Sequence, residues 1–102
     1  MTEPLFPADC QSMTDVRAGV DALDRRLVAL LAERFAYMRA AARIKPERGH
    51  VRDAARKAEV IANATAEAAN LNIPAEAIGA IWEMLVEASI AYEMVEFDRL
   101  RE

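Results

Sequence analysis

Two cations stand where a helical pattern asks for carbon. Between Thr14 and Lys45 apolar residues recur at Val16, Val20, Leu23, Leu27 and Leu30, in alternating steps of four and three, which is the spacing of one helix face. A further step of four lands on Arg34. At about 100° per residue, Lys45 points within about 20° of the same direction, about 16 Å further along the axis. Met38 and Ala41 or Ala42 lie between them on the stripe. Two long cationic side chains so placed can close on a small anion. The alternative is that Arg34 pairs with a buried carboxylate and Lys45 caps the helix C-terminus.

Arg17 stands apart, about 25 Å from Arg34 along the axis and rotated by about 100°. One straight helix cannot bring both to the same small molecule, so a functional Arg17 must serve a pocket supplied mostly by another chain; otherwise it is a solvated arginine. Ser89 and Glu93, at i and i+4, share a helix face with Trp82 and Val86. A glutamate on such a face is unfavourable unless it is paired, protonated or touching a ligand. An ion pair with Arg34 or Lys45 is the purely structural account. Asp53 and Arg56 sit at the start of a further helix, where a helix N-terminus and a guanidinium can address an anion together. Cys10, His50 and the remaining sequence show no glycine-rich phosphate loop, no zinc-type Cys/His spacing and no Ser/His/Asp arrangement.

The elements that position these residues follow from the breakers. Residues 1–13 hold Pro4 and Pro7 and no sustained periodicity, an irregular leader to a single domain over 14–102. Ser12 or Thr14 is a candidate N-cap, with Asp15 at the positive end of the dipole. The first helix runs Thr14–Lys45 and stops before Pro46, because proline disfavours helical geometry at the preceding residue. A connector around Gly49 leads to a second helix, Arg52–Ala69, with Val60, Ile61, Ala64 and Ala68 on its apolar side. The third helix runs from Ala75 to about Leu100, with Pro74 at its first position. Ile78, Ile81, Trp82, Leu85, Ser89, Tyr92 and Glu93 mark its broad inner face.

A helix of this first length spans about 48 Å, whereas a compact domain of about 100 residues has a radius of gyration near 13 Å. The rest of the chain cannot wrap the apolar seam, so a second copy along it is the expected remedy.

Composition agrees with an all-α chain. Of 102 residues, 22 are alanine, while Gly (3) and Pro (4) are too few for an all-β fold with many tight turns. Charged residues at 29% and the lack of a long apolar run exclude a membrane span. The start, MTEPLFPADC, has no signal-peptide pattern, and one cysteine implies a reducing, cytoplasmic setting. Thirteen basic against seventeen acidic residues argue against nucleic acid as a partner.

Val16-Arg17, Asp24, Arg34 and Lys45 in one long helix, then Arg52-Asp53 and Arg56, then Ser89 and Glu93, resemble the all-helical chorismate mutases and the related isochorismate–pyruvate lyase. The resemblance extends from about Cys10 to Arg99 and is most specific in the Arg/Arg/Lys spacing. It implies an intertwined homodimer of three-helix chains, with no metal or organic cofactor. Arg34, Lys45, Asp53, Arg56, Ser89 and Glu93 would line one pocket, with Arg17 entering from the partner. The substrate, chorismate or isochorismate, is a dicarboxylate with an enol-ether oxygen. Arg17 and Arg34 would fork onto its carboxylates, and Ser89 with the Asp53–Arg56 segment would hold its other polar groups.

Chorismate becomes prephenate by a pericyclic rearrangement that needs no nucleophile or general base. Holding the reactive conformer and stabilising charge on the ether oxygen are what accelerate it. Lys45 would be one donor to that oxygen. The family commonly has glutamine as the second donor; here it is Glu93, which helps only when protonated, and some fungal mutases resemble this chain in that respect. Lys57 departs further, standing where bacterial mutases have a glutamate for the substrate hydroxyl. The leader Pro7-Ala8-Asp9-Cys10 and the eleven-residue interval from Lys45 to Arg56 look more like the lyase. Ser89, and the lack of the lyase's glutamine at position 93, look more like a mutase. A helical dimerisation module without turnover is the remaining alternative.

Overall fold

The computed structural model describes residues 3–102. Three helices, α1 (Met13–Ile44), α2 (Ala54–Asn70) and α3 (Ala75–Leu100), are joined by short connections, and no strand occurs among the described residues. Short 3-10 turns at Pro7–Asp9 and Arg48–His50 lie in the leader and in the α1–α2 connector. The fold is therefore all-helical, as the periodicity predicts. No helix of the described residues is long and apolar enough to cross a membrane.

Local chemistry sets each boundary. Of the two candidate caps for α1, Ser12 fills the role: its Oγ accepts the Asp15 amide at 3.1 Å, while Asp15 Oδ2 accepts the Gln11 amide at 3.1 Å. This reciprocal cap starts the helix at Met13, one residue before Thr14. At the other end the Lys45 amide still bonds the Ala41 carbonyl at 2.9 Å, and Pro46, having no amide, ends the ladder.

The second helix starts two residues later than the sequence suggests. Asp53 takes an extended backbone and accepts the Arg56 amide at 3.0 Å, which makes it the N-cap and leaves Arg52 outside. At its far end Asn72 adopts a left-handed φ of 58°. The Ile73 and Asn72 amides turn back to the Ala68 and Ala69 carbonyls at 3.0 and 3.2 Å, a double closure that asparagine tolerates. Pro74 is the N-cap of α3 and not its first residue, since its ψ of 107° is extended.

Contacts divide the chain into two compact units, one up to Ala36 and one from Tyr37 to Glu102. In the first, the leader lies along α1, and Leu5, Phe6 and Cys10 face Val16, Gly19 and Val20 across an open groove. The α1 seam is open too: Val20, Leu23, Leu27 and Leu30 are all exposed, Leu30 to 60%. In the second unit α2 packs on α3. Ala42, Val51 and Phe97 form a buried cluster, with Ile90 and Met94 against it. Gly79 lies close against α2, where an added Cβ would stand 3.2 Å from the Thr65 methyl. One expected core position is corrected: Ile81 is 54% exposed, because the buried face of α3 is narrower and runs through Val86, Ser89, Glu93 and Phe97.

Candidate active site

The buried face of α3 carries two polar residues among its carbons, Ser89 and Glu93, and Glu93 is 4% exposed. A carboxylate so placed must be paired, and Lys45 pairs it. Its Nζ donates to Glu93 Oε2 at 2.7 Å across from the end of α1. This is the Glu93–Lys45 ion pair of the purely structural account, and it joins two of the residues singled out from the sequence, 48 positions apart. Lys45 itself stays half-buried, with one side toward solvent. Ser89 donates its hydroxyl to the Leu85 carbonyl at 2.7 Å, one turn back on its own helix, which keeps a buried hydroxyl satisfied.

Lys45 is not the helix cap, contrary to the structural alternative. That role falls to Arg101, which the sequence reading passed over. Its guanidinium donates to the Ala42 carbonyl at 3.1 Å, the Lys45 carbonyl at 2.8 Å and the Phe97 carbonyl at 3.2 Å. It also lies 3.6 Å from the Phe97 ring centroid. The signal for such a residue was present: Pro46 removes the amide that would have served Ala42, so a donor had to come from elsewhere.

Asp53 and Arg56 meet at the start of α2, but through the cap, with the Arg56 guanidinium turned to Glu59. Both are exposed. Arg17 and Arg34 belong to the first unit, Arg17 exposed and Arg34 half-buried.

Lys57 lies in a charged network. Its ammonium reaches Glu83 at 2.7 Å and Glu87 at 2.8 Å. Arg52 grips both oxygens of Glu87, at 2.9 and 3.0 Å. Hydrogen bonds from Arg52 first, and then from Lys57, hold the Glu87 carboxyl down at about 2, and the bonds to Glu83 and Glu87 raise Lys57. The pattern was readable as Glu83 and Glu87 at i and i+4 facing two cations near the start of α2. No group of three or more His, Cys, Asp or Glu side chains among the described residues is placed to hold a metal ion.

Lys45 and Glu93 thus neutralise one another beside Ser89, and an ammonium so held can grip an anion only by giving up part of that pair. Residues 16–94 match the family chorismate mutase type II. The match runs over most of the chain and through all three helices, and the protein belongs to that family. Its substrate is accordingly a small molecule. No curated protein matches the chain in a direct comparison.

Proposed function

We propose that the protein is a chorismate mutase in activity as well as family, converting chorismate to prephenate in a site shared between two chains. The observation that carries this reading is the family match over residues 16–94; the Lys45–Glu93 pair, 2.7 Å long on a buried helix face, brings two of the expected site residues together. Lys45 and Glu93 are the two positions at which the family resemblance places donors to the ether oxygen. Arg34 from the same chain and Arg17 from the partner take the two carboxylates. Ser89, Asp53 and Arg56 take the remaining polar groups of the ring and side chain.

The reaction is one concerted step: the carbon–oxygen bond of the enol ether breaks as a carbon–carbon bond forms in the same molecule. No proton need be gained or lost. In this reading two chains together enclose a cationic site that selects the chair-like conformer and aims donors at the oxygen on which charge builds. Without substrate, Lys45 is held by Glu93. On binding, Lys45 turns part of its hydrogen bonding from Glu93 to the ether oxygen.

The dimer rests on the open seam of α1, where Val20, Leu23, Leu27 and Leu30 lie exposed along one stripe. A single domain over residues 14–102, preceded by the leader, works in the cytoplasm without metal or cofactor in this reading.

A second reaction has a specific observation in its favour. Lys57 stands where the resemblance places a glutamate for the chorismate hydroxyl, and its ammonium is engaged by Glu83 and Glu87. Isochorismate, which carries its hydroxyl elsewhere on the ring, makes a different demand there, and pyruvate elimination from it gives salicylate. Incubating the purified protein with chorismate and with isochorismate, and identifying prephenate, salicylate and pyruvate, tests both. Prephenate from chorismate is expected. Salicylate and pyruvate from isochorismate, with no prephenate from chorismate, would replace the reading by the lyase. No product from either leaves a helical dimerisation module.

A further inference from the structure

We propose that Arg101 is a positioning residue for catalysis: it fixes the backbone of Lys45 so that the ammonium meets the ether oxygen. The inference rests on the reading of Lys45 as a donor, and begins from a deficit in the main chain. In an α-helix the Ala42 carbonyl accepts the amide four residues on. That residue is Pro46, which has none. Ala42 is 0% exposed, so solvent cannot compensate, and an unmet buried carbonyl is strongly disfavoured.

Arg101 repairs the deficit from the far end of the chain, 59 positions away. One nitrogen, Nη1, donates to the Ala42 and Phe97 carbonyls at 3.1 and 3.2 Å. The other, Nη2, donates to the carbonyl of Lys45 itself at 2.8 Å. The fork is clamped from below by the Phe97 ring, which belongs to the same buried cluster as Ala42. A planar guanidinium held at several points transmits position in a way a flexible ammonium does not.

Glu93, Phe97 and Arg101 follow each other at steps of four toward the end of α3. Glu93 holds the side chain of Lys45 and Arg101 holds its main chain. The lysine is therefore pinned at both ends by one helix, at the point where α1 is broken. Catalytic donors misplaced by about 1 Å can lose up to about a hundredfold in rate.

The test uses Arg101→Met, which keeps the stem and removes the donors, and Arg101→Lys, which keeps a charge but not the fork. The readouts are kcat and KM for chorismate, and calorimetric Kd for an oxabicyclic diacid mimic of the transition state. Arg101→Met is expected to lower kcat at least about tenfold, with KM changed by less than about twofold, and to weaken the mimic about tenfold. Arg101→Lys should fall between it and the wild type. In a Lys45→Ala background, Arg101→Met should shift the mimic's Kd by less than about twofold, because the two residues act as a unit.

An equal loss in both backgrounds would make Arg101 a purely structural residue and overturn the proposal. So would an unchanged kcat in folded Arg101→Met, or loss of the helical circular dichroism in both Arg101 variants. If Lys45→Ala alone keeps the wild-type kcat and Kd, the role given to Lys45 is what has failed, and the role of Arg101 falls with it.

Discussion

At the scale of single residues, the telling contrast is between Lys45 and Glu93. An ionised Glu93 neutralises Lys45 and repels charge building on an ether oxygen; a protonated one donates to it. Glu93→Gln, a permanent neutral donor, is therefore expected to keep or raise kcat, read from initial rates at saturating chorismate. Complete loss of turnover at every pH in a folded Glu93→Gln protein would remove Glu93 from the donor role. Arg34→Ala should abolish binding of the oxabicyclic mimic, measured by calorimetry. Lys45 and Glu93 were both legible in the sequence as charges on apolar stripes. Arg101 was not, since its task is defined by a missing amide at Pro46 and not by its own surroundings in the chain. Arg56 shows the converse: its place at the start of α2 was legible, while its guanidinium turns to Glu59.

Among elements, the packing of α2 on α3 has an electrostatic clamp at one end and a steric fit at the other. Glu87, held at about 2 by Arg52 and Lys57, has a folded-state value below its ordinary 4.5. Its contribution to stability is therefore complete above the unfolded value and is lost as pH falls from about 4.5 toward 2. Thermal melts across that range should show the wild-type Tm converging on that of Glu87→Gln, which lacks this titration. A constant gap between the two would show that Glu87 is not what titrates.

The fit at Gly79 is tight because the Thr65 hydroxyl donates to the Ala62 carbonyl at 3.0 Å, holding its methyl toward the glycine. Gly79→Ala gains about 1 kcal/mol of helix propensity against an overpacking cost of about 1–3 kcal/mol. It should be neutral to destabilising alone, and stabilising by comparison in a Thr65→Ser background, as read from denaturant midpoints. Helix identities were legible from spacing and breakers. The start of α2 was displaced by two residues because capping at Asp53 depends on which side chain captures an amide. Ile81 was misplaced because it lies about 80° around the helix from Ser89, on the side away from the buried Val86, Glu93 and Phe97.

For the whole molecule, the length of α1 against the size of the chain was legible, and the exposed seam agrees with it. A second copy along that seam is the expectation drawn from the same length argument, and it belongs to the proposed function. Under the shared-site proposal, Arg17→Ala and Arg34→Ala should each be inactive as pure proteins. Mixed and allowed to exchange, they should regain about a quarter of wild-type activity, since half the dimers are hybrid and each hybrid restores one of two sites. No recovery after verified exchange would place Arg17 outside the site.

The open stripe on α1 also ties the rate to abundance. If neither chain holds a complete pocket, turnover per chain follows mass action and falls on dilution toward the dissociation constant. A cell that doubles its stock of this protein at low expression would more than double its flux.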